Sequence, residues 1–167
     1  MIAISKVMII GGVGAGKSTL TKALLNKPIN TVKTQALNYE EWIIDTPGEY
    51  LENPLFYKNI MATSLEATHI IYLQDATKSH SNFPPFFSSG MAKLAIGVVT
   101  KIDAEHADIE KAISLLKAVV VKGPIILTSA IQHRGVEHVR RIVHYHSVDE
   151  MKTYVQNCGD ETLLFVE

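Results

Sequence analysis

An α/β fold is predicted, with a mostly parallel, doubly wound sheet between two layers of helices and a short helix-strand extension at the C-terminal end. Three observations predict it. Short apolar runs at residues 4–10, 69–74, 95–100 and 124–127 alternate with stretches of helical periodicity, as strands buried on both faces and joined by crossover helices do. Residues 11–18 (GGVGAGKS) place a glycine-rich turn between the first apolar run and the first helix. Asp45 closes another short apolar run and is followed three residues later by Gly48. In a sheet of this kind ligands lie at the C-terminal strand ends, which is where these polar residues fall. The chain has 167 residues, 47% hydrophobic and 20% charged, enough for one ordinary domain with a sizeable core.

The first strand and helix frame the loop G-x-x-x-x-G-K-S, the phosphate-binding pattern. Its glycines let backbone N–H groups close around phosphate oxygens, and the helix beginning there adds its unpaired N–H groups and dipole. The expected nucleotide contacts are Gly11, Val13, Gly14, Ala15, Gly16, Lys17, Ser18 and Thr19. Lys17 would reach the β- and γ-phosphates and Ser18 would give its hydroxyl oxygen to Mg²⁺. The helix covers residues 18–26, and Pro28 cannot continue it. Residues 34–39 read as an edge strand, hairpin-linked to residues 42–45 with Glu40 and Glu41 at the turn.

Asp45-Thr46-Pro47-Gly48 fits D-x-x-G: Asp45 would hold the Mg²⁺ shell and the Gly48 N–H would sense the γ-phosphate. A helix follows at residues 53–64, with Leu55, Phe56, Ile60 and Met61 as its apolar positions. The strand at 69–74 closes on Asp75, and residues 78–87 form a loop entering a short helix, whose Phe83, Phe86 and Phe87 are read as core, any exposed subset marking a partner surface. The strand at 95–100 delivers Thr100-Lys101-Ile102-Asp103. An amphipathic helix is expected over 105–121, and the strand 124–127 reaches Thr128-Ser129-Ala130. A closing helix runs from 136 to about 145. Residues 1–146 are read as one domain and 147–167 as an extension. Ser147 and Glu150 form a capping box for a short helix, Gly159 ends it, and residues 162–166 supply a further strand on an existing edge, in the same subunit or a neighbour's.

Taken in order, residues 11–18, Thr34, residues 45–48, 100–103 and 128–130 resemble the signature elements of GTPases with the small P-loop fold. The resemblance implies that Thr34 binds Mg²⁺ and faces the γ-phosphate. It also implies that Asp103 accepts hydrogen bonds from guanine, that Lys101 packs over the base, and that Ser129 and Ala130 border it. Thr100 stands where Asn is commoner, which loosens the base-reading motif. A narrower resemblance, carried by residues 33–36 (KTQA), 45–53 (DTPGEYLEN), 74–77 (QDAT) and 97–103 (GVVTKID), is to the EutP/PduV family of ethanolamine and propanediol utilisation. That resemblance implies a bacterial, cytoplasmic protein associated with microcompartments, binding GTP or GDP with Mg²⁺, and with shell or catabolic enzymes as partners. It also carries alternatives: an ATP-dependent acetate kinase, and a nucleotide-stabilised assembly factor that barely hydrolyses. A homodimer is compatible with the extension.

Glu49 stands where such proteins commonly keep a water-positioning Gln, so Lys17, Thr34, Gly48 and Glu49 are the expected catalytic set. Arg134, Arg140 and Arg141 all lie late in the chain, which predicts slow turnover unless a partner brings a cation. A kinase needs a cationic acceptor site, for which Lys33 is the obvious residue. The formal net charge of −1 and the lack of any basic run beyond Arg140-Arg141 argue against a nucleic-acid face. Cys158, the single cysteine, excludes an intrachain disulfide, and no apolar run reaches membrane-spanning length. His144 and His146 are read as surface or packing residues rather than metal ligands.

Overall fold

In a computed structural model, which describes residues 4–29 and 36–167, seven strands form one sheet. In chain order the elements are β1 (Val7–Ile10), α1 (Lys17–Leu24), β2 (Asn38–Glu40), β3 (Ile43–Asp45), α2 (Glu49–Glu52), α3 (Tyr57–Ser64) and β4 (His69–Asp75). They continue with β5 (Leu94–Thr100), α4 (Ile109–Lys117), β6 (Gly123–Leu127), α5 (Val136–Ile142), α6 (Val148–Cys158) and β7 (Leu163–Val166). The strands lie in the order β2-β3-β1-β4-β5-β6-β7. The five central strands are mutually parallel, while β2 and β7 run antiparallel on the two edges.

The parallel strands are buried on both faces, which is why they read as unbroken apolar runs. Along β1 the side chains alternate: Met8 and Ile10 join one core with Leu51, Ile60, Ala112 and Leu116, from α2, α3 and α4. Val7 and Ile9 join the opposite core with Leu20, Leu24, Val139, Ile142 and Met151, from α1, α5 and α6. Each such Leu or Ile taken from water contributes about 1.5–3 kcal/mol, and the helices therefore sit where their apolar stripes meet the sheet.

Several boundaries differ from the sequence expectation for local reasons. The helix expected at 53–64 is divided, because Asn53 accepts the Leu55 N–H at 3.1 Å and caps a 3₁₀ turn at Pro54–Phe56 before α3 begins. Asp108 caps α4 in the same manner, accepting the Lys111 N–H at 3.1 Å, so the helix starts four residues later than expected. Glu40 belongs to β2, and the turn falls on Glu41, which has φ +52°. Phe83 and Phe87 are core, but Phe86 is 65% exposed in a left-handed backbone conformation. Leu55 and Met61 likewise face solvent, leaving Ile60 as the buried anchor of α3.

The C-terminal extension closes the sheet within its own chain. Ser147 caps α6 by accepting the Glu150 N–H, Glu150 accepts the His146 N–H, and Gly159 ends the helix at φ +58°. Asp160 Oδ1 then accepts from the Thr162 N–H and hydroxyl, both at 2.8 Å, turning the chain into β7. β7 pairs with β6 from Leu163 opposite Ile126 to Val166 opposite Gly123. His138 of α5 clamps this segment, lying 2.8 Å from both the Tyr154 hydroxyl and Asp160 Oδ2.

Candidate functional site

The loop between β1 and α1 turns on Gly16, whose φ of +101° and ψ of 18° suit glycine and place it as the cap of α1. Lys17 folds back over the loop: it is 6% exposed and its Nζ donates to the Gly12 carbonyl at 2.8 Å. Burial lowers its pKa, opposed by the carboxylates of Asp45 and Glu52. Ser18, on the first turn of α1, donates its hydroxyl to Asp45 Oδ2 at 2.8 Å. Asp45 is delivered there because β3 lies beside β1, with Asp45 level with Ile9, and because Thr46 donates to the Ile9 carbonyl at 2.7 Å.

Gly48 follows in close contact with the loop: a Cβ on it would come within 2.6 Å of the Val13 backbone, so no other residue fits there. Glu49 opens α2 and is solvent-exposed. Thr34 and Lys33 lie outside the described residues. Ser18 and Asp45 bring a hydroxyl and a carboxylate together, and hard oxygens of this kind are what Mg²⁺ takes, largely completed by phosphate and water. Among the described residues no group of three His, Cys, Asp or Glu is placed to hold a metal without such help.

At the other end of the loop, β5 and β6 deliver the second half of the site. The Thr100 hydroxyl donates to the Ala15 carbonyl at 2.7 Å, and Lys101 Nζ donates to the Gly14 carbonyl at 2.7 Å and to Asp75 Oδ2 at 2.8 Å. Lys101 holds this position with φ +63°, a strained conformation that its two bonds offset. Burial pushes the Asp75 carboxyl up, but the Lys101 ammonium and the Thr77 donors together bring it below its ordinary value. Gly16, Thr19, Thr100, Lys101, Asp103, Thr128, Ala130 and Ile131 border one cavity of about 220 Å³. Ser129 is fully buried behind it, its hydroxyl accepting the Gln132 N–H at 3.1 Å.

The structure thus brings the expected residues of the loop, Asp45, Gly48, residues 100–103 and 128–130 to one edge of the sheet. Sequence reasoning did not single out Asp75, which holds Lys101, or Ile131, 73% exposed on the rim of the cavity. It also overlooked Glu52, which accepts the Val13 N–H at 3.0 Å, and the Lys78, His80 and Asn82 side chains lining a further cavity beside Gly12 and Val13. Asp75 follows an apolar strand in sequence and was legible as a strand end. Glu52 stood inside residues 45–53 of the family resemblance but with no role attached, and the others had no periodicity or motif to announce them.

A sequence model of the PduV-EutP family, described as ethanolamine utilisation - propanediol utilisation, matches residues 4–145. The chain belongs to this family. The chain is 34% identical over 137 residues to the propanediol utilization protein PduV of Citrobacter freundii, covering 80% of this chain and 89% of that one. It is 32% identical over 142 residues to a Salmonella typhimurium protein named probable acetate kinase EutP, covering 84% of this chain and 87% of that one. Among solved structures, Aquifex aeolicus Era bound to GDP and AlF4⁻ matches with TM-score 0.58 and 20% identity over 86% of this chain. Era in complex with MgGDPNP and a fragment of 16S ribosomal RNA matches with TM-score 0.59 and 18% identity over 87% of the chain. The chain spans 57% of the length of each Era structure, and the likeness establishes the α/β P-loop fold alone. Family membership together with this fold supports nucleotide binding by this PduV-EutP member. No helix among its described residues is long and apolar enough to cross a membrane.

Proposed function

We propose that the chain is a Mg²⁺-dependent purine nucleotide-binding protein that favours guanine and hydrolyses its triphosphate slowly, serving ethanolamine or propanediol breakdown in the bacterial cytoplasm. The observation that carries this reading is the single cavity shared by the end of the phosphate loop and the Asp103 and Ala130 segments, tied together by the Thr100 and Lys101 bonds to loop carbonyls. Asp103 at its border is an acceptor for the paired N–H donors of guanine, and against adenine, which lacks that pair, it would be left partly unsatisfied. Ser18 and Asp45 would hold Mg²⁺, which supplies charge neutralisation across the phosphates when bound.

Slow turnover follows from where the cations are. The Arg140 guanidinium donates to the Ala23 and Leu24 carbonyls at the end of α1, Arg141 pairs with Glu137, and Arg134 lies 3.8 Å from Glu161. Each is committed away from the phosphate loop. Glu49, beside Gly48, would orient water but repel the phosphate it serves.

A second reading, transfer of the γ-phosphoryl group to a small carboxylate with a nucleoside diphosphate leaving, is favoured by Lys78 and His80 on the cavity next to Gly12 and Val13. A third, nucleotide-stabilised assembly with shell or catabolic proteins, leaves hydrolysis incidental. Calorimetry with GTP, GDP, ATP and ADP in the presence of Mg²⁺ tests the first reading. GTP should bind at least about tenfold more tightly than ATP, and Asp103→Asn should move preference toward xanthosine nucleotides. Equal or tighter ATP binding would overturn the guanine assignment. Acetate-dependent release of ADP would favour phosphoryl transfer.

A further inference from the structure

Two cavities open at opposite ends of the phosphate loop. The one beside Gly16 and Thr19, with Asp103 at its border, is the base cavity of the nucleotide-binding reading. The other, about 170 Å³, is bordered by Gly12 and Val13, with Glu52 and Asn82 among its walls. A nucleotide is linear, so a base in the first cavity directs the last phosphate along the loop toward the second. At that end the Val13 N–H is already engaged by a carboxylate: it donates to Glu52 Oε1 at 3.0 Å, and the Asn82 side-chain amide donates to the same oxygen at 3.4 Å. Glu52 is the last residue of α2, four residues after Gly48, and its side chain is long enough to return to the loop from there.

We propose that Glu52 is an internal stand-in for the terminal phosphate and sets the preference between nucleoside diphosphate and triphosphate. The proposal rests on the nucleotide-binding reading above and concerns the far end of that site. A diphosphate ends over the middle of the loop and the start of α1, leaving the Val13–Glu52 bond intact. A triphosphate brings a new anion to the Val13 N–H, so it must take that donor from the carboxylate and lie beside a like charge. Because Glu52 is exposed, the carboxylate has water to swing into, and the penalty falls selectively on the triphosphate. Displacement also releases Asn82, which packs on Gly12, so occupancy of the terminal-phosphate position is transmitted both to α2 and to the loop after β4.

The test is calorimetry on the full chain with GDP and GMPPNP, and in parallel ADP and AMPPNP, all with Mg²⁺, for the wild type, Glu52→Gln and Glu52→Ala. Gln keeps an acceptor for the Val13 N–H but removes the charge, whereas Ala removes both. Both variants should bind the triphosphate analogue about tenfold more tightly, with diphosphate affinity unchanged within about twofold, and the gain should shrink as salt rises. An unchanged diphosphate-to-triphosphate ratio, or equal weakening of both nucleotides, would make Glu52 a brace of α2 and overturn the proposal. Failure of the wild type to bind any of the four probes would instead overturn the nucleotide reading itself, and this inference with it.

Discussion

The phosphate loop and the C-terminal extension are held by opposite strategies. Around the loop, three side chains reach inward to loop carbonyls: Lys17 to Gly12, Lys101 to Gly14 and Thr100 to Ala15. Those bonds fix the carbonyls on one side while positive φ angles at Gly14 and Gly16 turn the backbone, at the cost of a buried ammonium and a strained Lys101. The extension carries no comparable cost. Its helix has a reciprocal cap, its glycine stop and aspartate turn satisfy their donors locally, and Met151 and Leu163 bury apolar surface. A segment held by local satisfaction is suited to remain closed, whereas one in which charge is buried under a polar loop is arranged for an external anion.

The sharpest way to break this contrast is Lys17→Met, which replaces the ammonium by an apolar side chain of similar length. Triphosphate affinity should fall at least about a hundredfold, close to 2.7 kcal/mol, while the melting temperature holds or rises, since a buried charge is removed. A lowered melting temperature would mean that the Lys17–Gly12 bond supports the fold more than its burial opposes it.

Removing residues 147–167 should show the reverse signature. Loss of the buried Met151 and Leu163 should cost about 3–6 kcal/mol of stability, read by chemical denaturation, with the ratio of GTP to ATP affinity unchanged. A changed ratio would tie the extension to the base cavity. Thr100→Val is the intermediate case: it leaves the Ala15 carbonyl without its donor, costs about 1–3 kcal/mol and weakens nucleotide binding, while Thr100→Asn should restore much of both.

The smallest effect is electrostatic. The Thr162 N–H and hydroxyl and His138 hold the Asp160 carboxyl down to about 2, from an ordinary 3.8. A depressed carboxylate stabilises the fold fully above its ordinary value, and that contribution is lost as pH falls through about 2. With the Asp160 side chain 38% exposed, solvent screening leaves less than about 1 kcal/mol, and Asp160→Asn should flatten this part of the acid limb in melting curves.

The central fold was legible because parallel strands covered on both faces leave unmistakable apolar runs, and residues 11–18 announce the loop directly. The hidden parts depend on tertiary neighbours. Asn53 and Asp108 look like ordinary polar residues inside helical patterns until their side chains are seen capping the following turns. Thr100 reads as a departure from the commoner Asn, yet a short hydroxyl suffices because the end of β5 brings it against Ala15. Glu52 enters the sequence reading only inside residues 45–53 of the family resemblance, with no role attached, and the return of α2 over the loop gives it a partner. His69 and His146 are distant in sequence, but their rings lie 5.3 Å apart at the opposite end of the sheet, where His69 also reaches the Tyr145 carbonyl.

The strand order also dictates a timetable for synthesis. β1 is made first yet lies in the middle of the sheet, so it waits for β3 on one side and β4 on the other before its backbone groups are paired. From there the sheet grows outward in the order of translation, through β5 and β6, and each new strand leaves its outer row of amides open until the next arrives. Only β7 covers the outer edge of β6, so a chain released before Leu163 is added would leave the backbone groups of residues 123–127 open to a neighbouring chain.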